Sequence, residues 1–342
     1  MTTMSALIFN GPRKVEYGVT QRPDALPDHV VVRVGGCGIC GTDLHVYKGM
    51  PATWPVPGVR GHEIAGVVES VGHEVETIAP GDRVVVQPLV FCGSCSACRR
   101  GETNLCSRMY LVGGEVPGGF AEYVAAPATS IFRIPDGLSL EHASLAETLA
   151  TPVHALETHY RGFMRSVAIL GAGAQGLLTL QLARLLGAHN VLVSDVVPSR
   201  LSLARSLGAT HIVDARDTDP AAAAREMSGG EGVDLVVDAA GLAINRQQTV
   251  TMLRAGGTGI FLALGPSSAS IEFSTLVPRE LHLHGTQCYT NADFARAIEL
   301  LASGEVQAAP IVDVMALSDG PAAFEMLATN PGDHIKIVLR PR

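Results

Sequence analysis

Residues 166–195, SVAILGAGAQGLLTLQLARLLGAHNVLVSD, constrain the fold more than any other segment of the chain. Val167–Leu170 is an apolar run of the length a buried strand needs, and GAGAQG spans Gly171 to Gly176 directly behind it. An apolar helix is predicted from there through Leu186, and a second strand over Val191–Ser194 ends at Asp195. Each glycine has a separate part in such a strand–turn–helix. Gly171 permits the tight turn, Gly173 lets backbone approach a pyrophosphate, and Gly176 lets helix and strand pack closely. The helix N-terminus then faces the phosphates. With an acidic residue nineteen positions past the last glycine, the segment reads as a nucleotide-binding βαβ unit.

The alternation continues. Helices are predicted over Ser199–Leu207, Ala221–Met227 and Asn245–Leu253, and strands over His211–Val213, Asp234–Asp238, Gly259–Leu264 and Leu281–Gly285. Six parallel strands with helices on both faces make an α/β, doubly wound Rossmann sheet over residues 150–287. A chain of 342 residues is long enough for two cores, so 1–149 and 288–342 are expected to build a second domain from both chain ends. Asp195 should accept hydrogen bonds from the adenosine ribose and repel a 2′-phosphate, which points to NAD over NADP. Arg200 follows as a helix-surface cation or a lid over the adenine. The expected cofactor contacts are Gly171, Gly173, Gln175, Gly176, Asp195, Arg200 and Leu264.

Seven cysteines are unevenly spent. Cys92, Cys95, Cys98 and Cys106 fall within fifteen residues, CGSCSACRRGETNLC. Without an export signal in a chain this large, a disulfide scaffold is excluded in favour of metal binding. Four thiolates wrap one Zn²⁺ tetrahedrally, and Gly93, Ser94, Ser96 and Ala97 are small enough for the wrap. An iron–sulfur cluster and four unligated thiols are the rival readings. A closed zinc in a lobe over about residues 90–110 would staple a loop and do no chemistry, with Arg99 and Arg100 offsetting its formal negative charge.

A second set has room for chemistry. GCGICGTDLH (Gly36–His45) follows an alternating strand over Val30–Val34, and RGHE (Arg60–Glu63) precedes an apolar strand over Ile64–Val71. Cys40 and His62 supply two of the three protein ligands a catalytic zinc uses. Glu147, an acid inside the apolar stretch ASLAETLATPVHAL, is the candidate third, because an unpaired buried carboxylate calls for a nearby cation. Zn²⁺ with Cys40 thiolate, Glu147 and neutral His62 is formally neutral and leaves a fourth position open. Glu63 is expected close to the ion or exchanging with water as fourth ligand. Asp43 is placed to hold the second ring nitrogen of His62. Thr42 offers a hydroxyl beside it, and His45 is either a proton carrier to solvent or an ordinary exposed histidine. Cys37 reads as a small packing residue.

Composition excludes other classes. A net charge of −8 argues against nucleic acid, and 47% hydrophobic residues argue against a disordered chain. A single Trp makes a carbohydrate platform improbable. No run is long and apolar enough for a membrane helix; the stretch Leu177–Leu186 contains Gln181 and Arg184. The N-terminus lacks a signal-peptide pattern, so a soluble cytoplasmic protein is expected.

Taken together, GICGTDLH, GHE, the four-cysteine lobe, the acid before VHAL, and GAGAQG with Asp195 resemble the zinc-dependent medium-chain alcohol dehydrogenase family over nearly the whole chain. The resemblance implies a GroES-like β-rich catalytic domain, a Rossmann domain inserted in it, a substrate cleft between them, and two zinc ions per chain, one catalytic and one structural. Glu147 looks like the polyol, butanediol and threonine dehydrogenase branch, whose members are often tetramers, so a homo-oligomer with tetramer favoured over dimer is implied. One departure is Thr148, where that branch usually has proline. The implied reaction moves hydride from the carbinol carbon of a small-molecule alcohol to NAD, while Thr42 and His45 carry the proton away. The loop from Tyr47 to Pro57, with Met50 and Trp54, is expected to wall the substrate pocket or simply to pack. An L-threonine or aminocyclitol dehydrogenase on the same scaffold is the alternative. A non-catalytic protein that kept fold and zinc would show a broken ligand or relay position, which this sequence does not.

Overall fold

A computed structural model of the chain describes residues 2–50, 54–265 and 268–341. It divides into two compact units, Met1–Thr148 with Thr290–Arg342, and Leu149–Tyr289. The divisions lie one residue before and two after those expected from sequence. The first falls inside the helix Ala146–His159, which runs on without a break from Glu147.

In the second unit six parallel strands lie in the order His211–Asp214, Asn190–Asp195, Ser166–Leu170, Val233–Asp238, Leu253–Phe261, His282–Gly285. The order reverses between Ser166–Leu170 and Val233–Asp238, the switch point of a doubly wound sheet. Helices cover both faces, so Val233–Asp238 is buried at every residue rather than alternately. The strand Leu253–Phe261 begins earlier than its sequence suggests. Gly256 and Gly257 give no side-chain signal, and the register with the neighbouring strand shifts across this stretch.

The first unit is built on antiparallel strands. The long strand His29–Gly38 pairs on one edge with Glu63–Val71. Its other edge is shared: Tyr123–Pro127 covers His29 to Arg33, and Lys336–Arg340 covers Cys37 and Gly38. Segments from before and after the second unit thus meet in one sheet, where Gly38 stands opposite both Glu63 and Val338. An aromatic cluster anchors the helix Gly41–Tyr47 to this core. Phe324 lies edge-on to Phe9 and Phe120 with centroids 5.1 and 5.6 Å away, and Tyr47 packs on it at 5.5 Å.

Candidate metal centres and dinucleotide turn

Cys40 ends the extended segment after strand His29–Gly38 and caps the helix Gly41–Tyr47. Its backbone N–H donates to Asp43 Oδ2 at 3.0 Å, which fixes that helix entry. From the facing strand, Gly61 turns the chain in the left-handed region with φ 97°. A side chain there would strike Cys37 Sγ and the Phe120 ring, so only glycine delivers His62 and Glu63 to this position. Gly38 is bare for a similar reason, since a Cβ would collide with Glu63 Oε2. The result is a sulfur, an imidazole nitrogen and a carboxylate oxygen, from Cys40, His62 and Glu63, all within 4.8 Å of one another. Glu63 Oε2 is buried with no hydrogen-bond partner among the described residues. A mixed S/N/O donor set with an orphaned carboxylate oxygen fits a zinc ion.

Glu147 sits in the first turn of the helix Ala146–His159, outside that compact set. It is close enough to act on the charges of His62 and Lys336. Burial opposes a charged His62, but Asp43, Cys40 and Glu147 outweigh it and lift the ring well above its ordinary pKa. Burial in turn raises Asp43, against the pull of His62 and the Cys40 amide. Asp43 Oδ1 stands 3.7 Å from His62 Nδ1, too far for a hydrogen bond, and both atoms are buried without a hydrogen-bond partner among the described residues. Thr42 and His45 are both half-buried, three residues apart on the helix.

Sequence reasoning missed Lys336. Its ammonium is buried, donates to Glu63 Oε1 at 2.5 Å and to the Ile39 carbonyl at 3.2 Å. Burial works against its charge, yet Glu63, Cys40 and Glu147 raise its pKa above the ordinary value. The pairing comes from the C-terminal strand register, which no local motif announces.

Cys92, Cys95, Cys98 and Cys106 form a second compact donor set. Backbone amides converge on the sulfurs: Cys92 and Arg108 donate to Cys106 Sγ at 3.3 and 3.4 Å. The Ser94 amide lowers the Cys92 thiol to about 5, and the Cys98 amide lowers Cys95 to about 7. Burial and the neighbouring thiols push Cys98 up to about 12. Thiolates are thus favoured at Cys92 and Cys95 before any ion is counted, while Cys98 holds its proton. The cations differ from those expected. Arg100 pairs chiefly with Glu102 at 2.6 Å, and Arg99 donates to the Ser94 carbonyl. Arg108 faces the sulfurs instead, its pKa raised first by Cys92 and then by Cys95 and Cys106.

In the second unit the three glycines differ as their positions require. Gly171 is left-handed with φ 103° and has no room for a Cβ beside Ala240. A Cβ on Gly176 would strike the Gly171 carbonyl, whereas one on Gly173 would meet open space. Gly173 caps the helix Ala174–Leu185, with Gln175 in its first turn. Asp195 does more than its sequence position suggests. Its Oδ2 accepts the Ala172 amide at 2.7 Å, and Oδ1 accepts Val196 and Val197 at 2.7 and 2.9 Å. It therefore shapes the glycine turn as well as ending its strand. Arg200 is half-buried on the helix Pro198–Ser206, and Leu264 is exposed beyond the strand Leu253–Phe261.

Of the loop expected to wall a substrate pocket, residues 51–53 lie outside the described residues. Tyr47, Met50, Trp54 and Arg60 help line a cavity of about 210 Å³, with the Arg60 guanidinium 5.1 Å from the Trp54 ring centroid.

Residues 26–136 match the family model for the alcohol dehydrogenase GroES-like domain, and residues 174–303 match that for zinc-binding dehydrogenase. The chain is similar to sorbitol dehydrogenase of Bacillus subtilis (strain 168), with 33% identity covering 99% of this chain and 97% of the relative. It is 34% identical to L-threonine 3-dehydrogenase of Anaeromyxobacter dehalogenans (strain 2CP-C), covering 93% and 92%. A zinc-binding dehydrogenase from Sinorhizobium meliloti 1021, solved with NADP bound, superposes with a TM-score of 0.93 at 33% identity, covering all of both chains. Likeness over the full length, joined to an S/N/O donor set and a glycine turn of the right shape, places this chain in the zinc-dependent medium-chain alcohol dehydrogenase family, oxidoreductases that act on CH–OH donors with a nicotinamide dinucleotide.

Proposed function

We propose that the chain oxidises a secondary alcohol or polyol to the ketone with NAD as hydride acceptor. The observation that carries this reading is the convergence of Cys40, His62 and Glu63, with Glu147 acting on the same charges. Zinc held there supplies Lewis acidity toward an alcohol, and the nicotinamide supplies the hydride acceptor.

The chain's own residues do the rest. Cys40 and His62 hold the metal, with Glu147 or Glu63 as the third protein donor. Asp43 keeps His62 in the tautomer that presents its free nitrogen. Thr42 accepts the alcohol proton, and His45, three residues on along the same helix, carries it onward. Lys336 balances Glu63, so that a site with several anionic donors stays near neutrality. Asp195 favours NAD by opposing a 2′-phosphate, in contrast to the NADP-bound Sinorhizobium relative. A polyol or sugar alcohol is the favoured substrate class, as for the sorbitol-oxidising relative.

Two coarser features belong with this reading. No helix among the described residues is long and apolar enough to cross a membrane, and a cytoplasmic enzyme accords with the cysteine usage. Exposed apolar side chains on the second unit, Leu242, Ile244, Phe273 and Val277, suit a homo-oligomer, for which a tetramer is proposed.

The test is a screen of NADH formation over secondary alcohols, diols, sugar alcohols and L-threonine. Turnover of a diol or sugar alcohol supports the proposal, and turnover of L-threonine alone moves the chain to the threonine branch. Tight NAD binding with no turnover of any alcohol would sink the catalytic reading.

A further inference from the structure

Asp238 ends the strand Val233–Asp238 at the C-terminal edge of the parallel sheet and is completely buried. Its Oδ1 accepts the amides of Ala240 and Gly241 at 3.1 and 2.8 Å. Its Oδ2 forms an ion pair with Arg246 Nη1 at 2.8 Å, outside hydrogen-bond geometry. The same guanidinium donates to the Ala263 carbonyl at 2.6 Å and lies 4.8 Å over the Phe261 ring. One side chain thus ties the exits of two adjacent strands.

The contacts around it leave no slack. The amides of Leu262 and Ala263 both donate to the Asp238 carbonyl at 3.1 Å. Gly241 is left-handed with φ 74°, and a Cβ on it would strike the Leu264 carbonyl. A Cβ on Gly265 would strike the Gly241 carbonyl, and one on Gly171 would meet Ala240. The 239–241 turn and the turn after Phe261 therefore form one packed edge with Arg246 as its brace, and the glycine turn adjoins it at Ala240.

A buried ion pair is a weak source of stability, because apolar residues of similar volume often serve as well. What a planar guanidinium adds is direction: its plane lies over the Phe261 ring while one N–H is fixed on the Ala263 carbonyl. We propose that Arg246 is a positioning residue for the nicotinamide half of the dinucleotide. This rests on the reading that the dinucleotide binds over the Gly171–Gly176 turn. In a doubly wound sheet the two mononucleotide halves sit over opposite halves of the strands. Asp195 belongs to the adenosine half, and Asp238, Arg246 and Leu264 belong to the other. Loosening the brace shifts the turn after Phe261 and leaves the adenosine half in place.

The experiment compares NADH with ADP, which occupies the adenosine half alone. Kd values are measured by fluorescence titration and competition for Arg246→Lys and Arg246→Met, alongside thermal unfolding. NADH is expected to weaken about tenfold in both variants, as displacement of a positioned group implies, while ADP stays within about twofold. Equal weakening of both ligands, or no change in either, overturns the proposal. Should Arg246→Met fail to fold, Phe261→Leu replaces it, with a smaller loss for NADH and none for ADP expected. Asp195→Ala is the control on the underlying reading. If it alters neither ADP nor NADH, the dinucleotide assignment falls and this proposal with it; an Arg246 failure with a responsive Asp195 overturns the proposal alone.

Discussion

The Lys336 ammonium stands 2.5 Å from Glu63 Oε1, with both side chains almost wholly buried. Removing one partner of such a pair leaves the other charge stranded in a poorly solvating interior. Lys336→Met is expected to cost the metal-free chain about 3–5 kcal/mol, the usual penalty for breaking a buried pair. In the zinc-loaded protein the loss should be much smaller, because the metal ion compensates Glu63. Denaturant unfolding with and without a chelator checks this. Equal losses in the two conditions would show that Glu63 does not answer to the metal.

Two donor sets imply about two zinc ions per chain by elemental analysis. Cys40→Ser is expected to leave about one, and Cys92→Ser to release the other with loss of lobe stability. A total of one zinc, unchanged by Cys40→Ser, rejects the two-site account.

Asp195→Ala is expected to raise kcat/KM for NADP relative to NAD. It removes a negative charge that opposes the 2′-phosphate and an acceptor for the ribose hydroxyls. The side chain also holds the Ala172 amide, so affinity for both dinucleotides should fall. An unchanged NADP/NAD ratio would remove the basis for assigning NAD.

His159 stacks on His284 with centroids 4.8 Å apart and meets His154 edge-on at 6.0 Å. Burial, then His284 and His154, lower its pKa below the ordinary 6.5. As pH falls through 6.5, the unfolded chain takes up this proton before the folded chain does, so stability declines toward acid across that window. Partial exposure keeps the effect below about 1 kcal/mol. His159→Phe should flatten the dependence of the thermal midpoint on pH as pH falls below 6.5. A slope identical to wild type would assign the acid sensitivity elsewhere.

Features written in neighbouring residues are legible in the sequence alone. The glycine turn, the four clustered thiols and the Cys40, His62 and Glu63 segments all depend on short-range spacing that local geometry enforces. What remained hidden depends on register between distant strands. Lys336 reaches Glu63 only because Lys336–Arg340 pairs beside Cys37 and Gly38. Arg108, rather than Arg99 or Arg100, faces the thiolates because the lobe folds back after Cys106. The link between Arg246 and Ala263 likewise joins different strand exits and carries no sequence signature.

The sheet that contains Glu63 is closed by a strand from beyond residue 290, after the whole unit Leu149–Tyr289. During synthesis the N-terminal part emerges first, and Cys92 through Cys106 can capture their metal long before Lys336 leaves the ribosome. Glu63 must wait for its cation until the strand Lys336–Arg340 has been made. The thiol lobe can therefore be complete early, while the pairing of Glu63 with Lys336 is delayed until the unit Leu149–Tyr289 has been made.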